Sequence, residues 1–309
     1  TALFSCTREK ADFSQQVVAL GTTVDFTFYN VDDATGHAAI ARMQTVLSDL
    51  HNRWHPWQPS EVTRINAQLA QGHSVETDAE TARVLGLAQQ FYQQTGGLFN
   101  PGVGALVRLW GFFSDDPPTG PPPSATAIAQ ARDQAGAFPS LKIDGTRLTN
   151  TRRDLQLDLG ALAQGYAVQR CAEILRDMGI TNAVINAGGD LMVLGKHGDR
   201  PWRIGIRHPR QAGVLAAVEI ESDESIITSG DYERYFDFEG KRYHHIIDPR
   251  TGYPAQEAIS VTVLHASPTV ADAASTALLI AGPTQWRTLA KALGVEHVAL
   301  HLGGRDRMS

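Results

Sequence analysis

Apolar and polar residues alternate over 17–29, a period of two that predicts a strand, and over 33–50 the apolar positions recur at helical spacing instead. A short helix is expected after Ser60, then a longer one opened by a Thr77-x-x-Glu80 capping box and closed at Gly96-Gly97. The Pro- and Asp-rich run 114–124 predicts a mobile loop, with a helix over 125–136 and a strand pair around Leu141 and Leu148 behind it. Alternation then leads through 155–159 into a helix whose apolar residues Ala167, Cys171, Ile174, Leu175 and Met178 keep helical spacing until Gly179. A buried-type strand over 183–187 meets a Gly188-Gly189 turn, and strands are expected over 202–207, 214–220 and 259–264. The stretch 234–243 reads as a hairpin turning at Glu239-Gly240. Ser267 and Pro268 supply an N-cap and first position for a helix over 269–281, and 290–302 closes the chain with a helix end and a strand. Antiparallel hairpins interspersed with separate helices predict an α+β fold rather than a doubly wound sheet.

Composition narrows the function classes without choosing one. The chain has 309 residues, 42% of them hydrophobic, and a net charge of -6 from 33 acidic and 27 basic side chains. That is ample for a core, with no basic excess pointing to nucleic acid. Two distant cysteines, Cys6 and Cys171, make no disulfide framework, and Cys171 falls on the apolar face of its helix. His51 and His55 stand four apart, but Pro56 follows at once and argues against a two-histidine metal face. No run of 18 or more apolar residues is present. No G-x-G-x-x-G opens a helix, which disfavours a Rossmann oxidoreductase.

The chemistry-bearing residues gather in a few places. His244-His245-Ile246-Ile247-Asp248-Pro249-Arg250-Thr251-Gly252 ends a strand with imidazole, carboxylate, guanidinium and hydroxyl groups together. Side chains alternate along a strand, so His244 and His245 face opposite ways. Taken alone, this stretch fits a polar turn with a hydrogen-bonded histidine as well as it fits a site. Asp158 lies where a strand hands over to a helix, and the Gly188-Gly189 turn would let backbone amides approach a ligand closely. Asp272 and Thr276, at i and i+4, share one helix face. Such pairs are commonly local hydrogen bonds, yet hard cations take this kind of oxygen donor.

Taken in order, Leu157-Asp158-Leu159-Gly160-Ala161 with Gly165-Tyr166, Asn186 with Gly188-Gly189-Asp190, Thr228-Ser229-Gly230-Asp231-Tyr232 with Arg234-Tyr235, the His244–Pro254 stretch, and Ala271-Asp272-Ala273 with Thr276-Ala277 resemble the FAD:protein FMN transferases, the ApbE family. The likeness extends upstream through Leu20–Thr23, Ser60–Asn66, Thr95–Pro101 and Leu109–Phe112, and so covers nearly the whole chain. It implies a single compact T-fold-like domain over 15–309 behind a tail at 1–14, with antiparallel or mixed sheets and a flavin cleft between two parts. It further implies a Mg2+-dependent enzyme that splits FAD, transfers FMN to a threonine of an acceptor protein and releases AMP.

Residue by residue, the resemblance carries His245 over as the base, with Asp248 orienting the imidazole or the turn. It carries Ala161 through its carbonyl, Asp272, Thr276 and the adjoining Ser275 as metal ligands. FAD contacts fall on Leu20, Leu98, Phe99, Asn100, Asp158, Gln164, Gly188, Gly189 and Ile246. Asn100 stands where the family usually has Asp, Gln164 where it often has Lys, and Leu20 where it commonly has Met; two charges near the dinucleotide are therefore missing. Asn still accepts and Gln still donates, so binding with altered affinity is expected. Two other readings stay open: an FAD pyrophosphatase using water in place of threonine, and a non-catalytic FAD-binding protein. Leu3-Phe4-Ser5-Cys6 faintly resembles the end of a lipoprotein signal, and Thr1 suggests a processed or truncated chain. Family habit then implies an extracytoplasmic or periplasmic protein, with a lipid tether at Cys6.

Overall fold

The computed structural model describes residues 12–302 apart from 115, together with the backbone of Arg305–Met308; Cys6 and most of the 1–14 tail lie outside the described residues. Its centre is an eight-stranded sheet in the spatial order Phe13–Ala19, Thr22–Phe28, Ala183–Ala187, Asp190–Leu194, Glu224–Gly230, Ser260–His265, His297–Leu302 and Arg305–Met308. Every neighbouring pair is antiparallel. The expected strand over 17–29 is thus a hairpin: Leu20 and Gly21 take φ of 54° and 71° and reverse the chain within it. The inward positions pass from odd numbers, Phe13 and Val17, to even ones, Val24, Phe26 and Phe28, and the unbroken apolar run Val17-Val18-Ala19-Leu20 masks that change of phase.

Three helices, Asp33–Trp54, Gly160–Asp177 and Pro268–Ala292, pack together and against this sheet. Their buried faces build the main core with Ile40, Met43, Leu47, Val168, Cys171, Leu175, Leu278 and the sheet residues Phe26, Phe28, Ile185 and Val261. Within Pro268–Ala292 the helical path breaks where expected after 281: Gly282, at φ 63°, is non-helical, and a second helical stretch follows from Pro283. The Ala79–Gln94 helix is capped by Asp78, whose Oδ1 accepts from the Glu80 and Thr81 amides, whereas Thr77 turns its hydroxyl to Glu61. Both residues are good N-caps, so the sequence left the choice one residue off.

A second, smaller core joins the Gly104–Leu109 and Ala125–Ala135 helices to the Tyr235–Phe238/Lys241–His244 hairpin. Trp110 is stacked on Tyr243 at 5.3 Å, Phe236 on Tyr243 at 5.2 Å, and Trp110 Nε1 donates to the Gly252 carbonyl at 2.8 Å. The segment after the hairpin bridges the two cores, with Ile246 buried in the main one and Ile247 in the smaller one. His245 precedes this divide. The strands Trp202–Arg207 and Val214–Ile220 form a separate ribbon, and Leu141–Asp144, Arg147–Asn150 and Val75–Glu76 a small sheet. Among the described residues, no helix is long and apolar enough to cross a membrane.

Candidate active site

The two adjacent histidines are held in opposite ways. His244 is 1% exposed; its Nε2 donates to the Ala255 carbonyl at 2.5 Å, while Nδ1 accepts the Ile246 amide at 3.3 Å. Both ring nitrogens are thereby engaged, and burial holds its pKa below the ordinary histidine range. His244 is a strut. His245 keeps some solvent access, and its Nδ1 donates to the Arg234 carbonyl at 3.2 Å, the same carbonyl that accepts its backbone N–H at 3.0 Å. A carbonyl can only accept, so Nδ1 carries the proton and Nε2 presents a lone pair. Burial chiefly, then the neighbouring His244 and Arg234, lowers its pKa to about 3, which keeps the ring neutral.

Arg234 sits at the middle of this region. Its guanidinium donates to the Phe112 and Ser114 carbonyls at 2.9 and 2.8 Å and lies 5.6 Å from the Trp57 ring centre. Its charge acts on both His245 and Asp158. Asp158 accepts the Gly160 amide at 2.7 Å; burial raises its pKa, with that hydrogen bond and Arg234 pulling the other way. Asp248, expected to orient the imidazole or the turn, does the latter. It accepts the Arg250 amide at 2.8 Å and two guanidinium nitrogens at 2.7–3.1 Å, which closes the Asp248–Gly252 turn. The Arg234 carbonyl holds His245 in its stead.

A second group of polar residues lies between the Gly160–Asp177 and Pro268–Ala292 helices and the sheet. Asp272, 6% exposed, accepts the Gly165 amide at 2.8 Å. In a regular helix that amide serves the carbonyl four residues back, which is Ala161. Asp272 therefore stands beside the Ala161 carbonyl in the helix's first turn. Only glycine permits the approach, since a β-carbon at 165 would lie 2.5 Å from Asp272 Cβ and from the Pro268 carbonyl. The half-exposed Thr276 hydroxyl is 3.2 Å from Ser229 Oγ. Ser275 is fully buried and spends its hydroxyl on Ser229 at 2.8 Å and the Asp272 carbonyl at 3.0 Å, so it braces the helix rather than facing open space.

The neighbouring residues complete this group. Gln164 Nε2 donates to Asp190 Oδ2 at 2.7 Å and to the Ala187 carbonyl at 2.8 Å, and the Thr228 amide reaches Asp190 Oδ1 at 3.3 Å. Burial raises both carboxyl pKa values, and for Asp190 the Asp272 charge adds to the rise. Among the described residues, no three His, Cys, Asp or Glu side chains are grouped to hold a metal. The Asp272 carboxylate, the Thr276 hydroxyl and the helix-terminal Ala161 carbonyl are nevertheless hard oxygen donors of the kind Mg2+ accepts when substrate phosphate and water complete its shell. The donor set fits.

The expected flavin contacts divide. Leu98 and Phe99 turn their side chains into the main core, with Phe99 edge-on to Phe91 at 5.7 Å, and Ile246 is likewise buried. Asn100 accepts the Gly102 amide at 2.8 Å and donates to the Ala135 carbonyl at 3.1 Å, which pins its turn to the helix behind. Leu20 is half-buried against the main core. The Gly188 and Gly189 amides, expected to be open to a ligand, donate to the Thr23 carbonyl and to Asn186 Oδ1 at 3.0 and 2.9 Å. The close approach those glycines allow is to Thr22, 2.7 Å from where a Gly188 β-carbon would stand. Sequence reasoning gave no role to Asp190, Ser229 or Arg234, although all three lie in its quoted motifs. Thr228–Arg234 touches Asp190, Ser275, Thr276 and His245 in seven consecutive residues, so following that one segment would have found them.

The ApbE family model matches residues 20–299. An FAD:protein FMN transferase of Rhodobacter capsulatus is 40% identical over 287 residues, 93% of this chain and 55% of that protein, so this chain spans about half the length of that relative. An FAD:protein FMN transferase of Treponema pallidum is 32% identical over 292 residues, 88% of this chain and 79% of that protein. Among solved structures, the ApbE protein of Thermotoga maritima aligns with a TM-score of 0.88 at 32% identity over 97% of each chain. The flavin transferase ApbE of Vibrio cholerae aligns with a TM-score of 0.82 at 26% identity, again over 97% of each chain. The α+β fold, the ordered motifs and these relatives agree: this chain belongs to the ApbE family.

Proposed function

We propose that this chain is a flavin transferase that uses FAD to attach FMN to a threonine hydroxyl of a separate protein, releasing AMP. The observation that carries this reading is the single segment Thr228–Arg234, which braces the Thr276 hydroxyl at one end and sets the His245 tautomer at the other. Relatives named FAD:protein FMN transferase support the same chemistry.

The threonine O–P bond forms as the bridging P–O bond to AMP breaks, and His245 Nε2 takes the hydroxyl proton. A neutral imidazole suits this role because its lone pair is available at physiological pH. Asp272, Thr276 and the Ala161 carbonyl would hold a divalent cation. Such a cation, when bound, supplies charge neutralisation to the pyrophosphate oxygens. Arg234 adds fixed positive charge beside the base. We propose an extracytoplasmic setting as well, on the Cys6 resemblance alone.

The test incubates the chain with FAD, Mg2+ and a threonine-bearing acceptor, with and without chelator, and follows AMP and acceptor mass. An acceptor heavier by FMN, in a chelator-sensitive reaction, is expected. AMP with free FMN and an unmodified acceptor would favour the pyrophosphatase; FAD retained without AMP would favour a binding protein. Asp272→Ala should abolish cation-dependent turnover with the fold retained, and undiminished turnover in that variant would remove the cation site.

A further inference from the structure

The cation site described above draws one carboxylate, Asp272, from the Pro268–Ala292 helix, and nothing so far gives Asp190 a part in it. Two independent bracketings bring Asp190 to the same place. On one side, consecutive residues of a single helix turn hold the two carboxylates, Gln164 through its side chain to Asp190 and Gly165 through its amide to Asp272. On the other, consecutive residues of the Glu224–Gly230 strand do likewise, the Thr228 amide reaching Asp190 and the Ser229 hydroxyl reaching Thr276.

The partners these contacts provide to Asp190 and Asp272 are neutral: a carboxamide and two backbone amides. Neutral donors orient a carboxylate without cancelling its charge, and the two groups are near enough for the Asp272 charge to act on Asp190, a repulsion that a cation between them would offset. Gln164 has a further constraint. It spans Asp190 and the Ala187 carbonyl with one nitrogen, so it fixes the Asp190 rotamer relative to the turn that carries it.

We propose that Asp190 is a further carboxylate of the cation site and that Gln164 is its positioning residue, an inference that rests on the cation reading of Asp272 and Thr276. The Gly188-Gly189 turn then serves to deliver Asp190 to this site, its own amides being occupied by Thr23 and Asn186.

The experiment titrates Mn2+ into the chain saturated with stoichiometric FAD and reads the free ion from its paramagnetic signal, with no acceptor present. Asp190→Asn should weaken Mn2+ binding about tenfold or more, as loss of a ligand or its support does, and Asp190→Glu should recover part of the loss. Gln164→Ala, which takes the carboxamide from Asp190, should weaken Mn2+ binding by a smaller factor than Asp190→Asn. FAD stoichiometry and the melting temperature report whether each variant has folded. Wild-type Mn2+ affinity in a folded Asp190→Asn protein overturns the proposal; if Asp190→Asn does not fold, Gln164→Ala decides, and wild-type affinity in that variant overturns it. If the unsubstituted chain takes up no Mn2+ at all, the cation reading itself fails, a distinct result.

Discussion

At the residue scale the decisive contrast is between two neighbouring histidines. His244→Ala leaves the buried Ile246 amide without its partner and the Ala255 carbonyl with only Gln256 Nε2 at 3.3 Å, and should cost about 2–4 kcal/mol in urea unfolding. His245→Ala loses one partly exposed hydrogen bond; it should leave FAD binding intact while transfer falls about a hundredfold or more, which a single-turnover assay measures. Equal loss of stability in both variants would contradict the strut-and-base assignment. His245 also sets a pH dependence. Its folded pKa, about 3, lies below the ordinary 6.5, so between those values the unfolded chain binds a proton that the native ring refuses. Stability therefore falls as pH drops from about 6.5 toward 3. His245→Asn should be less acid-sensitive than the wild type when urea midpoints at pH 7 and pH 5 are compared. In the wild type, His245 should contribute no acid limb near 6.5 to the kcat/KM profile. The opposite faces of the histidines were legible from strand alternation; their tautomers were not, since these depend on the Arg234 and Ala255 carbonyls, each eleven residues away in the chain. Which of its two expected partners Asp248 takes was not legible either: its nearest cation, Arg250, is local and takes its oxygens, so it orders the turn.

At the element scale the site depends on how closely two helices approach. Gly165 lets the Pro268–Ala292 helix rest against the Gly160–Asp177 helix so that Asp272 meets a backbone amide. Gly165→Ala would force these helices apart, because the obstructing atoms are backbone and a Cβ rather than a flexible chain end. The expected cost is about 2 kcal/mol or more, together with loss of cation-dependent activity, checked by urea midpoint and by transfer assay. Gly86→Ala is the control: nothing lies within 4 Å of a β-carbon there, and no comparable loss is expected. Helices were the most legible elements, since caps such as Ser60, Ser124 and Ser267 announce them. The tight turn at Leu20-Gly21 was hidden because the apolar run Val17-Val18-Ala19-Leu20 masks the change of phase between its strands. The break after 281 was legible from Gly282-Pro283, and there Arg250 donates to the Ile280 carbonyl at 3.2 Å; the helical stretch that resumes beyond Pro283 was not.

At the scale of the whole molecule, two cores share one strand end, and the base lies where they meet. The ordered motifs made the family legible over nearly the full chain, but not this division, because the smaller core assembles residues from 106 to 247 that no local pattern connects. A ligand that binds the native site and not the unfolded chain stabilises the fold by linkage, about 2.7 kcal/mol at a hundred times its Kd. For a chain of 309 residues the unfolding entropy is about 0.65 kcal/mol/K, so FAD with Mg2+ at that saturation should raise Tm by about 4 °C. Chelator should remove the part of this shift that depends on the cation. In Asp272→Ala the chelator-sensitive part should be absent from the outset, with any shift from FAD alone retained. The measurement is a melting curve for each protein with FAD, FAD plus Mg2+, and FAD plus Mg2+ plus chelator. A Mg2+-dependent shift that survives Asp272→Ala at full size would move the cation away from the helix pair, because the Gly165 amide would then have no carboxylate to hold there.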